Sequence, residues 1–176
     1  MDFHLYYDSP LGRLFLSGDD EALTELRFDD GGEALQPREE TGTVPAPLAS
    51  AVRWLDCYFS GRCPAWRPPI RPSGSPFSRE VWEQLLSIPC GSTLTYGEIA
   101  DRLSMHRGGA PVAAQAVGGA CGRNPIVLIV PCHRVVGKNG SLTGYSGGGV
   151  ARKAKLLQME KEMTETEERQ KNTAPC

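Results

Sequence analysis

The sequence predicts an α+β protein: a small antiparallel sheet-plus-helix N-terminal domain followed by a winged-helix-like C-terminal domain with a helix-turn-helix. Three observations carry that expectation. Short β-prone runs separated by turn residues occupy the first 28 residues. A proline-rich stretch from Gly61 to Pro76 then interrupts regular structure. Beyond it, apolar residues recur at helical rather than alternating intervals. The expected units are 1–76, ending in the linker 61–76, then 77–160, then a disordered tail 161–176.

Phe3 to Tyr7, Arg13 to Ser17 and Leu23 to Phe28 are the strands of a meander, joined by Asp8-Ser9-Pro10-Leu11-Gly12 and Gly18-Asp19-Asp20. From Pro45 to Phe59, Leu48, Val52, Leu55 and Phe59 fall on one helical face that packs on the sheet. Pro64, Pro68, Pro69, Pro72 and Pro76 forbid regular structure and predict a linker. Ser78 is the expected N-cap of a helix with Val81, Trp82, Leu85 and Leu86 inside, ending by Pro89 and Gly91. Thr95 caps the next, lined by Tyr96, Ile99, Ala100 and Leu103. Pro111 starts a third short helix that Gly118-Gly119 is expected to stop. Two short helices around the Gly108-Gly109 connection suggest a helix-turn-helix. A turn at Lys138-Asn139-Gly140, a loop Gly144 to Gly149 and a last helix from about Val150 follow. Lys161 to Cys176 is polar enough to be disordered.

No apolar run approaches the roughly 20 residues of a membrane helix, so no membrane partner is expected. The start Met1-Asp2-Phe3-His4 lacks a secretory pattern, which predicts a cytoplasmic protein whose six cysteines are thiols. Cys57 and Cys63 lie close, but histidines at 4, 106 and 133 complete no zinc spacing, and no metal or cofactor is expected. The formal net charge of −2 conceals an asymmetry: residues 78–157 hold nine Lys or Arg against four acids, and 1–77 hold seven against twelve. The basic piece suits a polyanion as well as it suits an ordinary solvated surface.

The run from Ile126 to Val136 carries the chemistry. It drives a buried apolar segment into Pro131 and presents Cys132 beside His133, with the Asn124-Pro125 turn before it. A thiol reacts as its thiolate, and a nearby imidazole takes its proton. If this segment is extended, neighbours face opposite sides, so His133 acts through a bridging water. Glu160 is a candidate to fix the His133 tautomer, on the same helical stripe as Lys153; its plainer reading is a solvated carboxylate.

From Phe77 to Glu160 the chain resembles the O6-alkylguanine-DNA alkyltransferases, the methylated-DNA–protein-cysteine methyltransferases. The resemblance rests on Pro131-Cys132-His133-Arg134-Val135, Asn124-Pro125, Thr95-Tyr96-Gly97-Glu98-Ile99-Ala100, Ala116-Val117-Gly118-Gly119-Ala120 and Gly144-Tyr145-Ser146-Gly147-Gly148. It implies irreversible alkyl transfer from a flipped O6-alkylguanine, in double-stranded DNA, to Cys132, by a monomer. By resemblance His133 is the base through water, Glu160 orients it, Asn124 holds the turn, and Tyr96 donates to the leaving guanine. Tyr145, Ser146 and Gly147 would form the base pocket with the carbonyls of Cys132 and Val135, and Lys153 would support Tyr96. The implied DNA-contacting set is Tyr96, Ala113, Ala114, Gln115, Ala116, Gly118, Gly119, Arg123 and Arg134. The sequence departs from the family where an arginine usually enters the base stack, because Gln115 stands there; Arg107 is an alternative phosphate contact. Rival functions are a cysteine hydrolase, a non-catalytic binder of alkylated DNA and a thiol redox-responsive DNA-binding protein.

Overall fold

The computed structural model describes residues 2–31 and 42–170. Strands β1 (Phe3–Ser9), β2 (Gly12–Gly18) and β3 (Leu23–Phe28) form the expected antiparallel meander, with Tyr6 opposite Phe15 and Leu16 opposite Leu26. The β1–β2 turn closes because Ser9 Oγ accepts from Leu11 N and donates to the Gly12 carbonyl, while Gly12 takes φ +130°, a region open to glycine. Helix α1 (Ala46–Phe59) lays Leu48, Ala51, Trp54, Leu55 and Tyr58 on the Leu14, Leu16, Leu23 and Leu26 face of the sheet.

The proline-rich segment is no free linker. It runs back along the outer edge of β3, where Leu23 N donates to Pro69 O and Arg71 N to Leu23 O. Further along that edge, Leu26 N donates to Pro125 O and Val127 N to Leu26 O. An edge strand presents unpaired backbone groups, and prolines still supply carbonyls, so both segments dock there. Among the described residues the two halves share one continuous core.

Helix α2 (Pro76–Leu86) begins earlier than expected: its cap is Ser75, whose Oγ accepts from Ser78 N, and Pro76 occupies the first turn, where no N–H is needed. Strand β4 (Leu94–Thr95) leads into α3 (Tyr96–His106), closed by the reciprocal Thr95–Glu98 capping box. Helix α4 (Ala114–Gly122) starts after Pro111 and runs through Gly118 and Gly119, which do not stop it. Packing holds the helix through them: α4 lies against α2 and α3, and Trp82 Nε1 donates to Ala120 O. Arg107, at the end of α3, pairs with Glu80 at 2.8 Å and lies over the Phe77 ring, on the exposed surface.

The Cys132 segment is not extended. Leu128 takes φ +71°, and Cys132–Arg134 form a 3₁₀ turn before β5 (Val135–Val136), which pairs in parallel with β4. Helix α5 spans Gly149–Arg169, so the expected disorder from Lys161 is corrected as far as Arg169. Met163 supplies the reason: one turn beyond Met159, it continues the apolar stripe and packs near Cys63. Residues 171–176 lie outside the described residues. The expectation of six thiols also fails, because Cys63 and Cys90 form a disulfide across 27 positions; Cys121 and Cys132 are free. Among the described residues, no helix is long and apolar enough to cross a membrane.

Candidate active site

Asn124 fixes the nucleophile's turn from the inside. Its Oδ1 accepts from Ile126 N (3.0 Å), and its Nδ2 donates to Val130 O (2.8 Å) and to Cys132 Sγ (3.2 Å). Cys132 is 3% exposed. Burial pushes its thiol up, while the Asn124 N–H, the Ser146 side chain and the Lys153 charge act in the opposite sense by favouring the thiolate.

Behind the thiol lies a buried polar cluster. His133 and Glu160 are both fully buried, and His133 Nε2 meets Glu160 Oε1 at 2.7 Å. A carboxylate accepts only, so Nε2 carries the ring proton and Nδ1, buried without a partner, holds the free lone pair. Arg134 donates to both Glu160 oxygens from Nε at 2.9 Å and to Oε1 from Nη2 at 2.7 Å, and its Nη1 donates to Ile88 O. Tyr58, from α1, donates to the same carboxylate at 3.3 Å. Burial raises the Glu160 carboxyl, but His133 and Arg134 outweigh it and hold the group at about 2. The expectation that Arg134 contacts DNA is therefore corrected: its guanidinium is consumed in neutralising Glu160, with 11% of the side chain exposed.

Two turns earlier on α5, buried Lys153 donates to the Tyr96 hydroxyl and to Thr143 O, both at 3.3 Å. Thr143 Oγ1 donates to the same hydroxyl at 3.2 Å. With two donors on its oxygen, Tyr96 has its own proton left to give. A cavity of about 600 Å³ opens here, lined by Tyr96, Ala114, Gln115, Gly118, Cys121, Gly122, Cys132, Thr143, Gly144, Tyr145 and Ser146. Val135, Gly147 and Lys153 are not among its lining residues; Val135 sits in β5, and Gly147 supports the wall because a Cβ there would run into the Tyr145 ring. Ala113, Ala114, Gln115 and Ala116 are exposed at the start of α4, Gly118 and Gly119 are half-buried, and exposed Arg123 lies over Gly119 at its end.

Tyr58, Thr143, Cys121 and the internal role of Arg134 were not legible in the sequence. Tyr58 shares a face with ordinary core residues, and nothing local indicates that it reaches a carboxylate 102 positions away.

Fold and site together define a class: a cysteine nucleophile on the wall of a cavity bounded by the exposed start of α4, which packs on α3. Residues 76–162 match the model described as 6-O-methylguanine DNA methyltransferase, DNA binding domain, and residues 3–70 match that family's ribonuclease-like domain. The methylated-DNA–protein-cysteine methyltransferase of Mycobacterium tuberculosis is 46% identical over 155 residues, covering 88% of this chain and 89% of its own. That of Methanosarcina acetivorans is 40% identical over 146 residues, covering 83% and 90%. The crystal structure of Mycobacterium tuberculosis OGT in complex with DNA superposes with a TM-score of 0.76 at 44% identity, covering 91% of this chain and 93% of that one. The chain belongs to the 6-O-methylguanine DNA methyltransferase family. Its residues 76–162 are that family's DNA-binding domain.

Proposed function

We propose that this chain repairs double-stranded DNA by direct reversal, moving a methyl or larger alkyl group from O6 of guanine onto Cys132. The observation that carries the reading is the place of Cys132, a buried thiol on the wall of a cavity with room for a base and with α4 along one side. The small exposed residues Ala113, Ala114 and Ala116, with Gly118 and Gly119, suit close approach to the minor groove, where Gln115 fills the space left by the flipped base and Arg123 meets phosphate. Inside, Sγ bonds to the alkyl carbon as the carbon–O6 bond breaks, and that electron pair passes to guanine. The thiol proton leaves through a water to Nδ1 of His133, whose orientation Glu160 fixes. The Tyr96 hydroxyl, supported by Lys153, hydrogen-bonds the ring as charge builds there. The carbonyls of Cys132 and Val135 accept from the exocyclic amine. The proton lost by the thiol balances the one that guanine gains, and the products are guanine and a thioether.

A thioether offers water no leaving group, so each molecule acts once, as a monomer in the cytoplasm. Intact mass after mixing with an O6-methylguanine duplex tests this. The peptide containing Cys132 should gain one methyl, and Cys132→Ser should gain none. Transfer by Cys132→Ser, or many lesions cleared per molecule, overturns the proposal.

A further inference from the structure

We propose that Arg152 is a positioning residue for alkyl transfer, through which the N-terminal domain holds the base-binding loop; this rests on the function proposed above. A guanidinium has five N–H groups in a planar fork, and here each has an acceptor. Nε and Nη2 donate to the Leu11 carbonyl at 3.2 and 3.1 Å. Nη1 and Nη2 take the two Asp30 oxygens at 2.9 and 2.7 Å, and Nη1 also donates to Gly147 O at 2.7 Å. The fork lies 4.0 Å over the Phe28 ring.

These partners come from different places. Leu11 is in the β1–β2 turn, Asp30 follows β3, and Gly147 follows the two loop residues that wall the cavity, Tyr145 and Ser146. One side chain thus joins the sheet to the pocket wall. Gly148, at φ +115°, has no room for a Cβ because the guanidinium fills that space, so the loop and the fork are shaped around each other. A loop with glycines at 144, 147, 148 and 149 has wide conformational freedom. Fixing a carbonyl in its middle removes much of that freedom from the surface the base must meet. A lysine ammonium carries three donors on one nitrogen and cannot reproduce five hydrogen bonds spread over three nitrogens.

Single-turnover kinetics on an O6-methylguanine duplex separate the saturating transfer rate from duplex affinity. Asp30→Asn should slow the saturating rate by about threefold to tenfold and Arg152→Lys by about tenfold or more, with affinity unchanged to about twofold. Amide exchange across residues 144–149 should quicken in both. Asp19→Asn, which opens the Asp19–Arg71 ion pair elsewhere on the same domain, is the control and keeps the wild-type rate. Wild-type rates with unchanged loop exchange overturn the proposal, as does a loss confined to affinity, which would make Arg152 a DNA contact. Asp30 is 57% exposed, so its variant decides alone if Arg152→Lys fails to fold. A wild-type protein that takes no methyl refutes the function above and leaves the exchange measurement to decide the clamp.

Discussion

Replacing Arg134 by methionine removes three contacts to Glu160 and one to the Ile88 carbonyl while keeping much of the apolar stem. Glu160 is fully buried, and its partners hold the carboxyl at about 2 rather than 4.5. A displacement of that size is a net preference of about 3 kcal/mol for the charged form, left after the opposing penalty of burial. Leaving a buried carboxylate without its cation costs about 3–5 kcal/mol. At about 2–4 °C per kcal/mol for a chain of this length, Tm should fall by about 6–20 °C at pH 7. The carboxyl can escape by taking up a proton, so the deficit should shrink on acidification. If Arg134 contacted phosphate instead, stability would move by less than about 0.5 kcal/mol and the salt slope of DNA binding would fall by about one. Thermal unfolding with a salt series of duplex binding separates the two. A Tm within about 2 °C of wild type, or a salt slope reduced by about one, refutes the internal role.

Three further predictions follow from the same site. Tyr58→Phe deletes the hydroxyl that reaches Glu160 from α1 and should cost about 1 kcal/mol in denaturant unfolding. Gly147→Ala should drive its Cβ into the Tyr145 ring and lower the single-turnover rate by about tenfold or more while duplex affinity holds. Because Glu160 is held below its ordinary 4.5, its contribution to stability is complete above that pH and is lost as pH falls towards 2. Across that window, Glu160→Gln should lose stability less steeply than wild type.

The meander, α1 and the Thr95 cap were legible because each is specified locally, by turn residues, by a 3.6-residue apolar stripe and by a Thr-x-x-Glu box. Asn124, Cys132, His133 and Glu160 come together, but the segment leading to them takes a positive φ at Leu128 and then a 3₁₀ turn, and no composition rule forecasts a positive φ for a leucine. The α4 glycines were misread because helix-stopping propensity is a local preference, and contact with α2 and α3 outweighs it. The end of α5 failed for a related reason. Met163 is a single apolar residue in a polar run, and its value becomes visible only once Cys63 lies beside it. Arg134 carried an ambiguity of charge: a guanidinium in a basic segment suits phosphate until a carboxylate 26 residues later claims it.

The outer margin of β3 is occupied in series by the proline segment and by the Asn124–Pro125 turn, through four backbone hydrogen bonds. The strand that closes the small sheet is therefore also the seam along which the second half is sewn to the first. Cleaving the chain near Pro76 would not release two autonomous modules; it would bare an adhesive strip on one fragment and slacken the loop leading to the nucleophile on the other. Shuffling the reactive half onto an unrelated partner thus requires that partner to offer an open strand of the same register.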